Sequence, residues 1–128
     1  MAKVKQLTVS LENQPGRLAA VAKVLADAKV NIEAVLATTM GAQGSAQLVV
    51  ENVGKAKKAL SAGQFAFSEG VLEQVELPNK VGALTEFTAK LAKKGVNIDS
   101  AYGTVSKGAK KSVLFLATSK HAGDRGRT

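Results

Sequence analysis

The chain has 128 residues, and its 18 Lys and Arg residues against 10 Asp and Glu residues give it a net charge of +8. Aliphatic side chains must fill its core, because 45% of the residues are hydrophobic and only 4% are aromatic. The absence of Cys excludes disulfides, thiolate metal sites and a cysteine nucleophile. We expect a soluble, cytoplasmic protein, because no basic leader precedes Leu7 and no apolar run approaches the ~20 residues of a membrane span.

The first half of the chain predicts six elements in the order β-α-β-β-α-β. Alternating Leu7, Val9 and Leu11 indicate a strand with one buried face, and Pro15 suits the first turn of the helix that follows. The predicted elements are strand Lys5–Leu11, an amphipathic helix from Pro15 to about Ala28, strands Val30–Thr39 and Ala46–Glu51 around a glycine-containing loop, helix Val53–Ala62 and the short strand Phe65–Ser68. In the first helix, Leu18 and Leu25 are expected in the core.

The second half repeats the first at a displacement of 66 residues. Leu11–Ile32 reads LENQPGRLAAVAKVLADAKVNI and Leu77–Ile98 reads LPNKVGALTEFTAKLAKKGVNI; residues 7–53 and 73–119 share twelve identities in 47 positions. Chance would give roughly three, so the chain is an internal duplication. The second copy predicts strand Val71–Leu77, a helix that buries Leu84, Phe87 and Leu91 and ends near Gly95, and strands Val96–Thr104 and Ser112–Ser119.

The two copies give the predicted domain boundaries. Residues 1–69 form the first domain, 70–120 an incomplete second domain and 121–128 a disordered tail, because Lys120–Thr128 (KHAGDRGRT) has almost nothing to bury. The second copy should lack its last helix and strand, which leaves a sheet edge for another chain or the other copy to cover. Lobes of this size are marginal alone, so we expect a homodimer or a higher homo-oligomer.

The residues also indicate a family. Asn13-Gln14-Pro15-Gly16-Arg17-Leu18 after a strand, an Ala-rich helix, and then Val30-Asn31-Ile32 resemble the ACT domain, a small-molecule-sensing module. The resemblance covers essentially the whole chain as two copies and is similar to stand-alone tandem-ACT proteins without a catalytic domain. It implies an α+β fold of two tandem ferredoxin-like βαββαβ lobes, antiparallel sheets with helices on one face, the second copy truncated. Copy two departs from the pattern at Val81, where copy one has Pro15.

The resemblance implies that the chain binds a free amino acid or a related metabolite, without any cofactor, and regulates an enzyme or a transcription factor. The N–H groups at a helix start can receive a carboxylate, glycine permits close approach, and an Asn amide can serve either end of the ligand. The same Asn and Gly residues also have a purely structural reading as turn residues. The candidate ligand-binding residues are Asn13, Pro15, Gly16, Arg17, Leu18, Asn31 and Ile32 in copy one, and Asn79, Gly82, Ala83, Leu84, Asn97 and Ile98 in copy two.

Other functions fit the sequence less well. His121 is the only His, so neither a His-based triad nor a His metal cluster can form, and we expect no enzyme. An RNA-binding ferredoxin-like protein is the main alternative, but Phe115 and Tyr102 alone do not make a base-stacking platform and the basic residues are scattered. A scaffold that binds no ligand is the third possibility.

Overall fold

The computed structural model describes residues 2–120 and shows an α+β fold of six strands and three helices in that range. The elements are β1 Ala2–Glu12, α1 Arg17–Asp27, β2 Ile32–Met40, β3 Gln43–Val50, α2 Val53–Ala62, β4 Phe67–Pro78, α3 Ala83–Lys93, β5 Val96–Thr104 and β6 Lys111–Lys120. β3 pairs antiparallel with β1 and β2, and β6 pairs antiparallel with β4 and β5. The predicted tail and His121 lie outside the described residues.

The chain divides into two compact units, of which one is Lys5–Val71. Its strands follow the order β2-β3-β1-β4. Alternate residues of β1 and β3 pack against one face of α1 and of α2, as the period-two and helical patterns predict. The buried cluster consists of Leu7, Val9, Leu11, Val21, Leu25, Val30, Ala46, Leu48, Val50, Ala56 and Leu60.

Among the described residues, the other unit comprises residues 2–4 and 72–120. Its strand order is β1-β4-β6-β5, so residues of β1 lie beside β4. Ala2 lines a cavity together with Gln74, Val75 and Glu76. The expected uncovered edge of copy two therefore has a strand of the same chain beside it. The buried apolar residues of this unit are Leu72, Ala83, Leu91, Phe115 and Leu116.

Two sequence-based boundaries are wrong. Phe65–Ser68 and Val71–Leu77 were predicted as separate strands, but Phe67–Pro78 is one continuous strand, because Gly70 makes no turn and keeps an ordinary backbone conformation. Pro15 was placed in the first helical turn, but α1 begins at Arg17. Gly16 precedes the helix with φ +88°, a conformation that cannot continue into a right-handed helix. Pro15 therefore belongs to the turn.

Two leucines predicted for the core are partly exposed. Leu18 keeps 42% of its surface exposed and Leu84, its equivalent in copy two, keeps 56%. Each stands in the first turn of its helix and lines a cavity. Leu25 and Leu91, two turns further along, are buried as predicted. Within residues 2–120, we find no helix with the length and hydropathy that a membrane span requires.

Candidate functional site

A small cavity lies between the β1–α1 turn and the end of β2. Its volume is about 190 Å³, which suits a small metabolite rather than a polymer. The turn supplies backbone and polar side chains, α1 supplies its first residues, and the β2–β3 hairpin closes the other side. The lining residues are Leu11, Glu12, Asn13, Gln14, Arg17, Leu18, Ala37, Thr38, Thr39, Gly44 and Ser45.

Asn13 fastens the β1–α1 turn to the β2–β3 turn. Its Nδ2 donates to the Gly41 carbonyl oxygen at 2.8 Å, and its backbone N–H donates to the Ala42 carbonyl oxygen at 2.9 Å. One amide hydrogen of Asn13 is therefore committed to structure. The side-chain oxygen and the second amide hydrogen keep their capacity for further hydrogen bonds.

The N-terminus of α1 has no side-chain cap. Gly16 occupies the cap position without a side chain, and the Arg17 N–H makes a long 3.4 Å hydrogen bond to the Gln14 carbonyl oxygen. Helix α2 is different, since Asn52 accepts a hydrogen bond from the Lys55 N–H. A Cβ built on Gly16 would meet nothing within 4 Å, so the approach to this helix end is open. Uncapped N–H groups at such an end favour an anionic group.

The Arg17 side chain is the cation of this cavity. Its guanidinium lies over the Phe65 ring, 5.4 Å from the centroid, and its Nε is 3.9 Å from Glu12 Oε1. The Nε atom is buried and has no hydrogen-bond partner among the described residues. The spacing of the apolar residues of α1 leaves Arg17 off the apolar face of the helix, and the aromatic ring beneath it comes from Phe65, far along the sequence.

The second copy builds an equivalent cavity of about 200 Å³. Asn79 Nδ2 donates to the Ala109 carbonyl oxygen and the Asn79 N–H to the Lys110 carbonyl oxygen, both at 2.9 Å. Gly82 has φ +89° and, like Gly16, provides no side-chain cap for its helix. The lining residues are Leu77, Pro78, Asn79, Lys80, Ala83, Leu84, Gly103, Thr104, Val105, Ser112, Val113 and Leu114.

Comparison with known families decides the nature of the first copy. The model of the ACT domain matches residues 5–58, which include the turn, α1 and the hairpin that line the first cavity. The chain contains an ACT domain. No curated protein matches the sequence.

Several solved structures share the fold of this chain. The protein BT0572 of Bacteroides thetaiotaomicron is 30% identical with a TM-score of 0.87, over 92% of this chain and 81% of that one, so the two chains belong to one family. The ligand-free regulatory subunit of aspartate kinase from Thermus thermophilus is similar at 16% identity and a TM-score of 0.63, over 91% and 87% of the two chains. The regulatory subunit of aspartate kinase from Thermus flavus is 18% identical with a TM-score of 0.58, over 90% of this chain and 85% of that one. At these identities the two subunits show the fold alone.

The structure places most of the candidate residues around the two cavities. Asn13, Arg17 and Leu18 line the first cavity, with Gly16 between them, and Asn79, Ala83 and Leu84 line the second beside Gly82. Pro15 precedes Gly16 in the turn without lining the cavity.

Four candidates lie elsewhere. Asn31 precedes β2, and Ile32 begins it, whereas the cavity contacts the other end of that strand. Asn97 and Ile98 open β5 in the same way. Asn97 Nδ2 donates to Asp99 Oδ1 at 2.7 Å, and Ser119 Oγ is 3.0 Å from the same oxygen, so this amide takes part in a local polar cluster. The sequence did not reveal the roles of Thr38 and Thr104, which line the cavities and which the 66-residue displacement makes equivalent.

Proposed function

We propose that this chain is a regulatory protein that binds a free amino acid or a related small metabolite, and that it acts through contacts with other proteins rather than by catalysis of its own. It would consist of two ACT copies, residues 1–69 and an incomplete copy at 70–120. The target would be an enzyme or a transcription factor. The ACT domain at residues 5–58 supports the small-molecule-binding part of this proposal.

The observation that carries the proposal is the recurrence of one cavity at the same place in both halves of the chain. In each, an Asn side chain fastens the turn to the hairpin, a glycine with positive φ precedes the helix, and the helix start is uncapped. Turn stability alone explains the Asn and the Gly. It does not explain an open cavity lined by Leu18 or Leu84, since an apolar side chain gains little from exposure at that place.

A bound amino acid would use both ends of its backbone here. Its carboxylate would meet the free N–H groups of the first turn of α1 and the Arg17 guanidinium, where charge-assisted hydrogen bonds are strong. The Asn13 amide oxygen and the Thr38 hydroxyl would accept from its ammonium. Leu18 would contact its side chain. In copy two the carboxylate would meet the N–H groups of Ala83 and Leu84.

Asn31 and Ile32, with Asn97 and Ile98, would reach a ligand only when another ACT domain lies alongside. β2 is an end strand in the order of its unit, so one of its edges carries unpaired N–H and C=O groups. Val35 on β2 is 51% exposed and Leu18 on the neighbouring helix 42%. We therefore propose that homo-oligomers form along this edge and that ligand occupancy changes the association.

RNA binding is less well supported. The rings of Tyr102 and Phe115 stack on each other with their centroids 5.6 Å apart. Phe115 is only 8% exposed, so its face is not available to a base. Base stacking needs exposed rings on the sheet.

A thermal-shift screen with the twenty amino acids tests the proposal. A ligand at 100 times its Kd stabilises the folded state by roughly 2.7 kcal/mol, which shifts the Tm of a small domain by several degrees. We expect at least one amino acid to give such a shift. A flat response to all twenty and to common central metabolites would contradict the proposal.

Arg17→Gln then tests the assigned site. Loss of a hydrogen bond to a charged group costs about 1.5 to 3 kcal/mol, so calorimetry should show at least a tenfold weaker affinity. Lys23→Gln is the control. Lys23 lies on the same helix but does not line the cavity, and its Nζ is 2.9 Å from Asp27 Oδ2. Asn13→Ala is a poorer test, since it also removes the hydrogen bond to Gly41.

A further inference from the structure

The two cavities have similar volumes but differ in charge. At three pairs of equivalent lining positions the two copies differ in charge. Copy one has Glu12, Gln14 and Arg17, and copy two has Pro78, Lys80 and Ala83 at these positions. In the first cavity one carboxylate and one guanidinium lie 3.9 Å apart and compensate each other. In the second, Lys80 is the only charged lining residue among residues 2–120, and no Asp or Glu of that range belongs to the lining.

The hairpin beside the second cavity adds positive charge. The β2–β3 turn of copy one is Gly41-Ala42, whereas the β5–β6 loop spans residues 105–110 and contains Lys107 and Lys110. Both hydrogen bonds of Asn79 go to this loop, so it is fixed at the rim of the cavity.

The nearby carboxylates do not neutralise these lysines. The Lys111 Nζ is 3.7 Å from Glu76 Oε1, which compensates that one charge. Lys80, Lys107 and Lys110 have no carboxylate within ion-pair distance in the part of the chain that the structure describes. Glu86, in the first turn of α3, does not line the cavity. The second cavity therefore carries an uncompensated positive potential.

We infer that the second cavity binds a small ligand of net negative charge, namely an amino acid with a side-chain carboxylate, whereas the first binds one of net zero charge. This inference rests on the function proposed above. A zwitterion gains nothing overall from a uniform positive potential, because its two charges respond oppositely. A second carboxylate breaks this balance and has Lys80 as its partner, while the helix start receives the first. The volume of about 200 Å³ limits the ligand to this size class.

Tyrosine emission gives a readout for the second cavity alone. Tyr102 is the only Tyr, the chain has no Trp, and Tyr102 directly precedes the lining residues Gly103 and Thr104. Titration with glutamate against glutamine, and with aspartate against asparagine, compares ligands of nearly equal shape that differ by one charge.

We expect the acidic member of at least one pair to change the emission at a concentration fivefold or more below its amide. Added salt should reduce this preference, because exposed charges are screened. Lys80→Gln, which installs the residue of copy one, should abolish the preference without lowering the Tm. Lys90→Gln, an exposed lysine of α3 outside the cavity, should leave it intact.

Equal response to an acid and its amide would overturn the inference while leaving the proposed function standing, as would a preference that survives Lys80→Gln. Failure of every amino acid in both the emission and thermal-shift assays would overturn the proposed function as well. The reverse change, Gln14→Lys, should raise the affinity of the first cavity for glutamate, measured by calorimetry in a Lys80→Gln background.

Discussion

Gly16 is the residue at which the backbone requirement and the candidate site coincide. Its φ of +88° places it in the left-handed region, which costs other residues roughly 1 kcal/mol or more. A Cβ there would meet no atom within 4 Å, so the cost of Gly16→Ala comes from the backbone alone. We expect Gly16→Ala to lower the free energy of unfolding by about 1 kcal/mol in urea titrations.

Gly54→Ala is the matched control for Gly16→Ala. Gly54 lies in α2 with an ordinary φ, and a Cβ there would make a normal 3.6 Å contact with Asn52 Oδ1. Ala is the better helix former, so this change should stabilise by a few tenths to about 0.5 kcal/mol. Equal effects of the two substitutions would contradict the assigned strain at Gly16.

The repeat itself predicts a stabilising substitution. Gly95 follows α3 with φ +71°, as the sequence predicted for a residue that ends a helix. Its equivalent after α1 is Lys29, which adopts φ +63° despite its Cβ. Lys29→Gly should therefore raise the free energy of unfolding by up to about 1 kcal/mol. A lower Tm in calorimetry would show that the flexibility of the unfolded glycine outweighs the relieved strain.

The phenol of Tyr102 should lose its proton at a higher pH than an exposed tyrosine. Burial raises the pKa of its phenol above the ordinary value of 10.0. Absorbance near the phenolate band reports this group without interference, because the chain has one Tyr and no Trp. A raised folded-state pKa means that stability is fully present below the unfolded pKa and declines as the pH rises through the folded one. Phe115→Leu, which removes the stacked ring, should move the titration midpoint back toward that of an exposed tyrosine.

At the scale of elements, Glu69 connects three segments of the Lys5–Val71 unit. Its carboxylate on β4 lies 2.8 Å from Lys57 Nζ on α2 and 3.1 Å from Lys5 Nζ on β1. Hydrogen bonds from Lys57, and then from Lys5, hold the pKa of Glu69 below its ordinary value of 4.5. The contribution of Glu69 is therefore present above the unfolded pKa and is lost as the pH falls through the lower folded value.

This linkage predicts that Glu69→Gln is less stable than the wild type at pH 7 and that the difference narrows as the pH falls below about 4.5. Urea unfolding at several pH values measures it. Glu51→Gln is the control, because Glu51 has no ion-pair partner among residues 2–120 and should differ little from the wild type at any pH. A Glu69→Gln deficit that stays constant down to pH 3 would indicate a packing effect instead.

The β2 edge makes the proposed association testable. Val35→Lys places a charge on an exposed apolar position of an edge strand, which is a known way to prevent strand pairing. We expect sedimentation of the wild type at tens of micromolar to exceed the 13.2 kDa of one chain and that of Val35→Lys to approach it. Val71→Lys, at a 60% exposed valine of β4, should associate like the wild type. A wild-type protein of 13.2 kDa would contradict the proposal.

At the scale of the whole molecule, periodic patterns predicted the three helices, most of the strands and most of the turn residues, because spacing reports which face a residue takes. Helix α2 was predicted with its observed bounds, Val53–Ala62. The exposure of Leu18 and Leu84 was not predicted, because spacing cannot distinguish a residue that faces the core from one that faces a cavity on the same side. The sequence shows that Gln14 and Lys80 differ in charge, but only the structure shows that these two positions line the cavities.

Residues 2–4 belong to the unit that also contains residues 72–120. In that unit they lie beside the second half of β4. In the Lys5–Val71 unit, the first half of β4 lies beside the rest of β1. During synthesis Ala2–Val4 must therefore wait for partners made roughly seventy residues later, a long-range pairing that forms slowly. The Lys5–Val71 unit can pack earlier. A tag fused before Ala2 would consequently disturb not the unit next to it in sequence but the one completed last.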